Sequence, residues 1–226
     1  MGDWLKLFRP EQKEFVAKQD NLYVARPKFV TEDMKHKNSL LHLKNHFNSL
    51  KNVIFQKDIY AVKDVMENDK DAVKNLQNVN KDKLAEMILE AAYDAKVDPV
   101  IIAHIASQES HFDQYADSNS GKGLMQITPI SVKDMYQHPD KYESELLPIL
   151  KKYKTHEKLF EAAKKDPELN LKLGAHIFKL KLNKAHGNVR KALELYKGCS
   201  GKYAYAEKLM KKINDTKKHI GLEYAA

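Results

Sequence analysis

The chemistry available to this chain centres on one acid, Glu109, within the stretch Val100–Thr128. The stretch opens with apolar residues, reaches the acid, crosses a polar loop with two glycines and ends in an apolar run that carries Gln126. Burial and the negative end of a helix dipole both disfavour a charged carboxylate, and we expect both at Glu109. They predict a raised pKa and a carboxylic acid able to donate a proton, as general-acid cleavage of a glycosidic bond requires. The alternative is a structural carboxylate at a helix end, bonded to the amides of the neighbouring loop.

A helix with a clear start signal must position this acid. Asp98 followed by Pro99 predicts that start, with aspartate as the N-cap and proline at the first helical position. Ile102 and Ile105 precede Glu109 by seven and four residues, which places all three side chains on one helical face. The acid is therefore expected on the buried side, at the C-terminal end of its helix.

Most of the remaining sequence is also typical of helices. A threonine or aspartate followed by proline recurs at Thr128-Pro129 and Asp166-Pro167, and asparagine caps are expected at Asn80 and Asn188. The last helix is expected to bury one face formed by Tyr203, Ala206, Leu209 and Ile213. The segment 137–157 is polar and broken by prolines, and a strand signal is present only at 118–127. The fold class is therefore mainly α, with at most a small β-hairpin.

The distribution of glycine and proline indicates two parts of the chain. No glycine lies between Gly2 and Gly121, and no proline between Pro27 and Pro99, which favours helices joined by short polar links. We interpret 1–80 as a small helical N-terminal module and 81–226 as the domain that carries the chemistry.

Composition restricts the classes of partner. A net charge of +8 and a pI near 9.2 favour a polyanion, such as nucleic acid, an anionic membrane surface or an anionic cell wall. The single cysteine, Cys199, excludes an internal disulfide, and the scattered histidines contain no metal-binding pair, so we expect neither a metal nor a cofactor. The N-terminus lacks the apolar core of a signal peptide, and no apolar run is long enough to span a bilayer.

Around Glu109 the residues form a recognisable pattern. Glu109-Ser110 is followed by a loop of serines and glycines, 118–123, and then by Leu124-Met125-Gln126. Downstream are Asn170 with Gly174, and Ala192-Leu193 with Tyr196. In order and spacing these pieces resemble the catalytic core of the soluble lytic transglycosylases, relatives of goose-type lysozyme within the lysozyme-like superfamily. The resemblance covers roughly 80–215.

The resemblance implies that Glu109 is the sole catalytic acid and base. It would protonate the oxygen between N-acetylmuramic acid and N-acetylglucosamine in peptidoglycan, and then deprotonate the muramyl 6-hydroxyl to close a 1,6-anhydro ring. The substrate's acetamido group would stabilise the cationic centre in place of a second carboxylate. Tyr196 would hydrogen-bond and orient the acid. The groove would be lined or braced by Ser110, Ser118, Ser120, Met125, Gln126 and Asn170.

Two departures from the family pattern leave alternatives open. The glycine loop is one residue shorter than the usual form, so either Ser118 or Ser120 takes the family's serine position. Lys197 stands where the family has asparagine, and it either contacts substrate or is a solvated lysine. A loop aspartate, Asp113 or Asp117, could also activate water and make the enzyme a hydrolytic lysozyme, although loop aspartates more often bond local amides.

The expected biological setting follows from these features. With no leader and no membrane span, we expect a monomeric phage endolysin that is made in the cytoplasm and acts on the peptidoglycan of a bacterial host. On this hypothesis, 1–80 is a wall-binding module, a structural cap or a virion-docking segment. The competing hypothesis is a basic helical protein that binds nucleic acid, but no recognition motif or arginine cluster supports it.

Overall fold

The computed structural model describes residues 51–142, 144–198 and 200–221. The chain divides into two units, Met1–Lys57 with Tyr224–Ala226, and Asp58–Glu223. Most of the first unit lies outside the described residues, and so does Cys199. Residues 58–80 belong to the second unit, and the division of the chain at residue 80 stays a prediction.

The described part of the chain is built of helices, which confirms the predicted mainly α fold. Short 3-10 turns occupy Lys70–Ala72, Pro139–Lys141 and Ser144–Leu146. The only β-type pairings among the described residues are two isolated bridges, between Asp117 and Lys122 and between Lys122 and Ile127. The α-helices are α1 (51–68), α2 (Val73–Leu76), α3 (Lys81–Asp94), α4 (Pro99–Ser110), α5 (Pro129–Gln137), α6 (Leu147–Tyr153), α7 (His156–Ala163), α8 (Pro167–Lys184), α9 (Val189–Lys197) and α10 (Lys202–His219).

The predicted helix starts are confirmed at their caps. Asp98, Thr128 and Asp166 each accept a hydrogen bond from a backbone N–H of the first turn, and each is followed by proline. Asn80 and Asn188 cap α3 and α9 in the same way. Each cap satisfies one of the amides that a helix start leaves without a partner.

Helix α4 lies at the centre of the second unit, in contact with α3 and α10. Helix α8 packs against α3 and α9, and α9 packs against α10. All residues of α4 are buried except Gln108 and Glu109, because its neighbours cover it on every side up to its last turn. In the described ranges, no helix combines the length and the apolar composition that crossing a membrane demands.

The segment 58–80 braces the face of α4 that points away from Glu109. Ser107 donates a hydrogen bond to the buried carboxylate of Asp69 at 2.6 Å. The Asn75 amide donates to the carbonyl oxygen of His111, the residue that ends α4, at 3.0 Å. Ser107 and Glu109 are two residues apart and therefore about 200° apart around the helix axis. The Ser107 bond holds α4 on the face away from Glu109 and the Asn75 bond holds its C-terminal end, and both leave the side of the acid open.

Two details of the fold differ from the sequence expectations. Helices α6 and α7 were not predicted, because they are short and bury only Leu150, Leu159 and Ala163 between them. The placement of Tyr203 on the buried face of the last helix was wrong, since it is 65% exposed and Tyr205 is buried instead.

Burial of a histidine beside lysines makes the fold sensitive to acid. The ring of His104 on α4 is 5% exposed, and burial, with a further contribution from Lys212, lowers its pKa from 6.5 to about 3. Between these two values the unfolded chain binds a proton that the folded chain does not, so stability is full above pH 6.5 and falls as the pH is lowered. We expect a loss of about 2–3 kcal/mol at pH 4.5 from this group alone. Melting temperatures of wild type and His104→Gln from about pH 7 to about pH 4.5 test this: the variant's curve should be flatter, and parallel curves would contradict it.

Candidate active site

Glu109 lies at the one place where the central helix reaches solvent. Its side chain is half-buried, less than the sequence led us to expect, because only Gln108 and Glu109 of α4 are uncovered. The helix stops directly afterwards, since His111 and Phe112 both take left-handed backbone conformations with φ of 50° and 58°. The acid therefore sits in the last turn, at the negative end of the helix dipole and within reach of a substrate.

Two tyrosines from the C-terminal helices approach this acid. Burial raises the pKa of the Tyr196 hydroxyl on α9, and the charge of Glu109 raises it further. Burial likewise raises the pKa of Tyr205 on α10 strongly, again with Glu109 as the next cause. Both hydroxyls are therefore protonated at neutral pH, so each carries one proton that it can donate in a hydrogen bond.

The hydroxyl of Tyr196 is bonded to the backbone, not to the acid. It donates to the carbonyl oxygen of Met125 at 3.0 Å, so its one proton is not directed at Glu109 as the resemblance implied. The buried hydroxyl of Tyr205 has no hydrogen-bond partner of good geometry within the described residues, although the carboxylate influences it. Tyr205 is thus the better placed donor to Glu109. Sequence reasoning missed it, although its four-residue spacing from Leu209 and Ile213 could have indicated the buried face.

The loop that follows α4 is tied together by its own predicted site residues. The Ser118 hydroxyl donates to the side-chain oxygen of Gln126 at 2.7 Å. The amide nitrogen of Gln126 donates in turn to the carbonyl oxygen of Gly123 at 3.0 Å. Ser120 is exposed, and only its backbone N–H approaches the Ser118 hydroxyl, at 3.4 Å. Of the two serines, Ser118 is the one that the structure builds into the loop.

Two buried polar side chains fix the Leu124-Met125 segment from beneath. The Ser110 hydroxyl is 2.9 Å from the Leu124 carbonyl oxygen. The fully buried Asn170 accepts from the Met125 N–H and donates to the Lys122 carbonyl oxygen, both at 2.9 Å. Ser110 and Asn170 therefore hold the loop by its backbone, and Tyr196 completes the set through Met125.

Two glycines of the family pattern are required by these contacts. A Cβ on Gly123 would lie 2.4 Å from the Asn170 amide nitrogen, and one on Gly174 would lie 2.5 Å from Met125. Both distances are shorter than a van der Waals contact allows, so any larger residue would displace the loop or α8. The spacing Asn170 to Gly174 thus places a hydrogen-bonding group and a flat surface one helical turn apart.

The loop aspartates and Lys197 have partners of their own. Asp113 accepts from the backbone N–H of Tyr115 at 2.9 Å, and Asp117 is paired with Lys122. The ammonium of Lys197 lies 5.3 Å from the centre of the Tyr205 ring, in cation–π geometry. The residue that replaces the family asparagine thus covers the tyrosine beside the acid.

One cluster among the described residues has the composition of a metal site. Ligand atoms of Asp69, Asp71 and His111 lie within 4.8 Å of one another. The Asp69 carboxylate already accepts hydrogen bonds from Ser107, from the Asp71 backbone and from the His111 ring. Through these hydrogen bonds the cluster supports the C-terminal part of α4.

Comparison with known protein families identifies the family of this domain. A model of the Transglycosylase SLT domain family matches residues 86–219, more than half of the chain. The chain belongs to the transglycosylase SLT family. This transglycosylase domain acts on peptidoglycan and is of the lysozyme-like type. Comparison with curated proteins gave no match, and neither did comparison with solved structures.

The hydroxyl of Tyr205 gives a direct test of this site. We expect Tyr205→Phe to lower the rate of peptidoglycan cleavage by about ten-fold, because Glu109 loses a donor when it becomes ionised. Stability should hardly change, since among the described residues the hydroxyl has no partner other than Glu109. Tyr136→Phe is the control: it removes a bond to the Leu150 carbonyl oxygen, and should cost about 1 kcal/mol of stability while sparing activity. Rates and melting temperatures of both variants check this, and an unchanged rate for Tyr205→Phe would exclude the role.

Proposed function

We propose that this SLT-family chain cleaves the β-1,4 bond between N-acetylmuramic acid and N-acetylglucosamine in peptidoglycan and leaves 1,6-anhydro-muramyl ends. The observation that carries the proposal is a single half-exposed acid at the end of a buried helix, with two tyrosine hydroxyls beside it. An enzyme that uses one carboxylate must do both proton transfers with it, and we assign both to Glu109.

In the first step Glu109 donates its proton to the glycosidic oxygen as the bond from the muramyl C1 to that oxygen breaks. The substrate's own acetamido oxygen stabilises the positive charge at C1. In the second step the muramyl 6-hydroxyl attacks C1 and gives its proton back to Glu109. The enzyme ends in its starting protonation state, and no water is consumed.

The state of the loop aspartates supports this route over hydrolysis. A hydrolase would use a second carboxylate to activate water across the bond. Asp113 is bonded to a backbone amide of its own turn, and Asp117 is paired with Lys122. Neither aspartate is free to act as the base that activates water, so the muramyl 6-hydroxyl is the better nucleophile.

Mass spectrometry of the muropeptides released from purified sacculi tests the proposal. We expect products that end in anhydro-muramic acid, lighter by one water than their hydrolysed counterparts. Reducing ends would show a lysozyme and sink the transglycosylase mechanism. If no muropeptides are released, the chain does not cleave peptidoglycan.

For the biological role we propose that the enzyme lyses a bacterial host for a phage. The net charge of +8 suits anionic wall material, and the residues 1–80 would assist as a wall-binding module. Cytoplasmic expression in a bacterium, with and without a separate membrane-permeabilising protein, tests the role. Lysis only when the membrane is opened is expected, whereas lysis without it would contradict the proposal. Since residues 58–80 belong to the second unit, a truncation that tests the module should keep them.

A further inference from the structure

A solvent-facing cavity of about 400 Å³ lies beside the end of α4, where the segment 75–84 meets the loop 113–115. Its volume is within the range of small-molecule sites, about 300–1,000 Å³. It is distinct from the reaction centre, because Glu109, Tyr196 and Tyr205 are not among its lining residues. The lining residues are Asn75, Asn78, Val79, Asn80, Lys83, Leu84, Met87, Asp113, Gln114 and Tyr115.

The cavity is connected to the active site through the backbone. The Asn75 amide in its wall donates to the carbonyl oxygens of Ser110 and His111, at 3.5 and 3.0 Å, directly after Glu109 in the chain. Asp113, also in the lining, fixes the turn that presents Tyr115, whose side chain is 64% exposed. The cavity and Glu109 therefore share the C-terminal end of α4.

The lining favours an uncharged, hydrogen-bonding ligand. Within the described part of the chain, the amides of Asn78 and Gln114 make no side-chain hydrogen bond, so their donors and acceptors are available. The exposed Tyr115 ring offers an apolar face with a polar tip. The lining contains one cation, Lys83, and one anion, Asp113, so its formal charges cancel. The cavity therefore lacks the net positive charge of the whole chain and does not favour a polyanion.

Sugar units of a glycan strand have the matching chemistry. Their hydroxyl and acetamido groups donate and accept hydrogen bonds as carboxamides do, and the C–H face of a pyranose packs against an aromatic ring. We propose that this cavity binds an N-acetylhexosamine unit of the peptidoglycan strand outside the reaction centre. The inference rests on the proposed function. The cavity is not a feature of the family domain alone, because its lining residues from Asn75 to Leu84 precede the range 86–219 that matches the family.

The experiment uses the full chain and chitotetraose, the β-1,4 tetramer of N-acetylglucosamine, as the probe. Glu109→Gln is the parent, so that the probe is bound and not cleaved. Asn78→Ala with Tyr115→Ala removes one amide and the ring, both exposed, and the matched control is Asn214→Ala with Tyr60→Ala, likewise exposed. We expect the dissociation constant to rise about ten-fold in the first pair and less than about two-fold in the control, the size of losing one or two modest contacts.

The outcomes separate this site from the reaction itself. With Glu109 intact, the pair Asn78→Ala and Tyr115→Ala should raise KM for sacculi while kcat is largely retained. An unchanged dissociation constant for chitotetraose would overturn the sugar site, and so would a loss of affinity seen only with free stem peptides. Because binding of chitotetraose needs no cleavage, it can succeed even if wild type releases no muropeptides, which would refute the proposed function alone.

Discussion

Glu109→Gln is expected to abolish cleavage of purified peptidoglycan while leaving the fold intact. General acid–base catalysis contributes about 10²–10⁴-fold, and we expect the upper end because Glu109 acts in both steps. The side chain is half-exposed and glutamine has the same shape, so the melting temperature should hardly change. The measurement is the loss of turbidity of sacculi, paired with thermal unfolding of the same samples.

A control with the same change of charge makes this result specific. Glu86 on α3 is exposed and is not one of the site residues, so Glu86→Gln should cleave at the wild-type rate. If Glu109→Gln retains full activity, the acid is not the proton donor and the mechanism fails. If it loses both activity and fold, Glu109→Asp separates the two effects, because it keeps the carboxyl group but withdraws it from the substrate.

The parts of the site that were predicted from the sequence are those encoded by short-range signals. Helix caps such as Asp98-Pro99 act within one turn, so composition and spacing suffice to locate α4 and the acid at its end. The loop pattern around Gly123 is equally local. That Asn170 lines or braces the groove was implied only by the resemblance, and its contact with Gly123 was not predicted, since the two are brought together by the packing of α8.

The parts that were missed depend on long-range packing. Tyr205 approaches Glu109 because α10 lies against α4, a contact between segments almost a hundred residues apart. The four-residue spacing of Tyr205 from Leu209 indicated the buried face, but the three-residue spacing of Tyr203 from Ala206 did so as well, and spacing alone left the choice open. The partial exposure of Glu109 was missed for the same reason. The neighbouring helices bury α4 from its start to Ser107 and leave Gln108 and Glu109 in its last turn partly exposed.

The rigidity of the loop depends on one close contact between Gly123 and Asn170. Asn170 is fully buried and bonded to the Met125 N–H, the Lys122 carbonyl and the Ala163 carbonyl, so it cannot turn away from an added methyl group. A Cβ on Gly123 would approach its amide nitrogen to 2.4 Å. Relief of that clash must break some of these bonds and leave buried polar groups without partners, which costs about 1–3 kcal/mol each.

Gly123→Ala is therefore expected to destabilise the protein by about 4 kcal/mol and to reduce activity by more than about ten-fold. Gly201→Ala is the matched control: Gly201 has φ of 66° against 71° for Gly123, but its added Cβ would meet nothing within 4 Å. Both variants share the backbone cost of a left-handed alanine, about 1–2 kcal/mol, so the difference between them reports the clash with Asn170. Denaturant unfolding and sacculus turbidity measure the two effects. Equal losses in both variants would show that Asn170 yields without cost, and that the loop is not held in place from beneath.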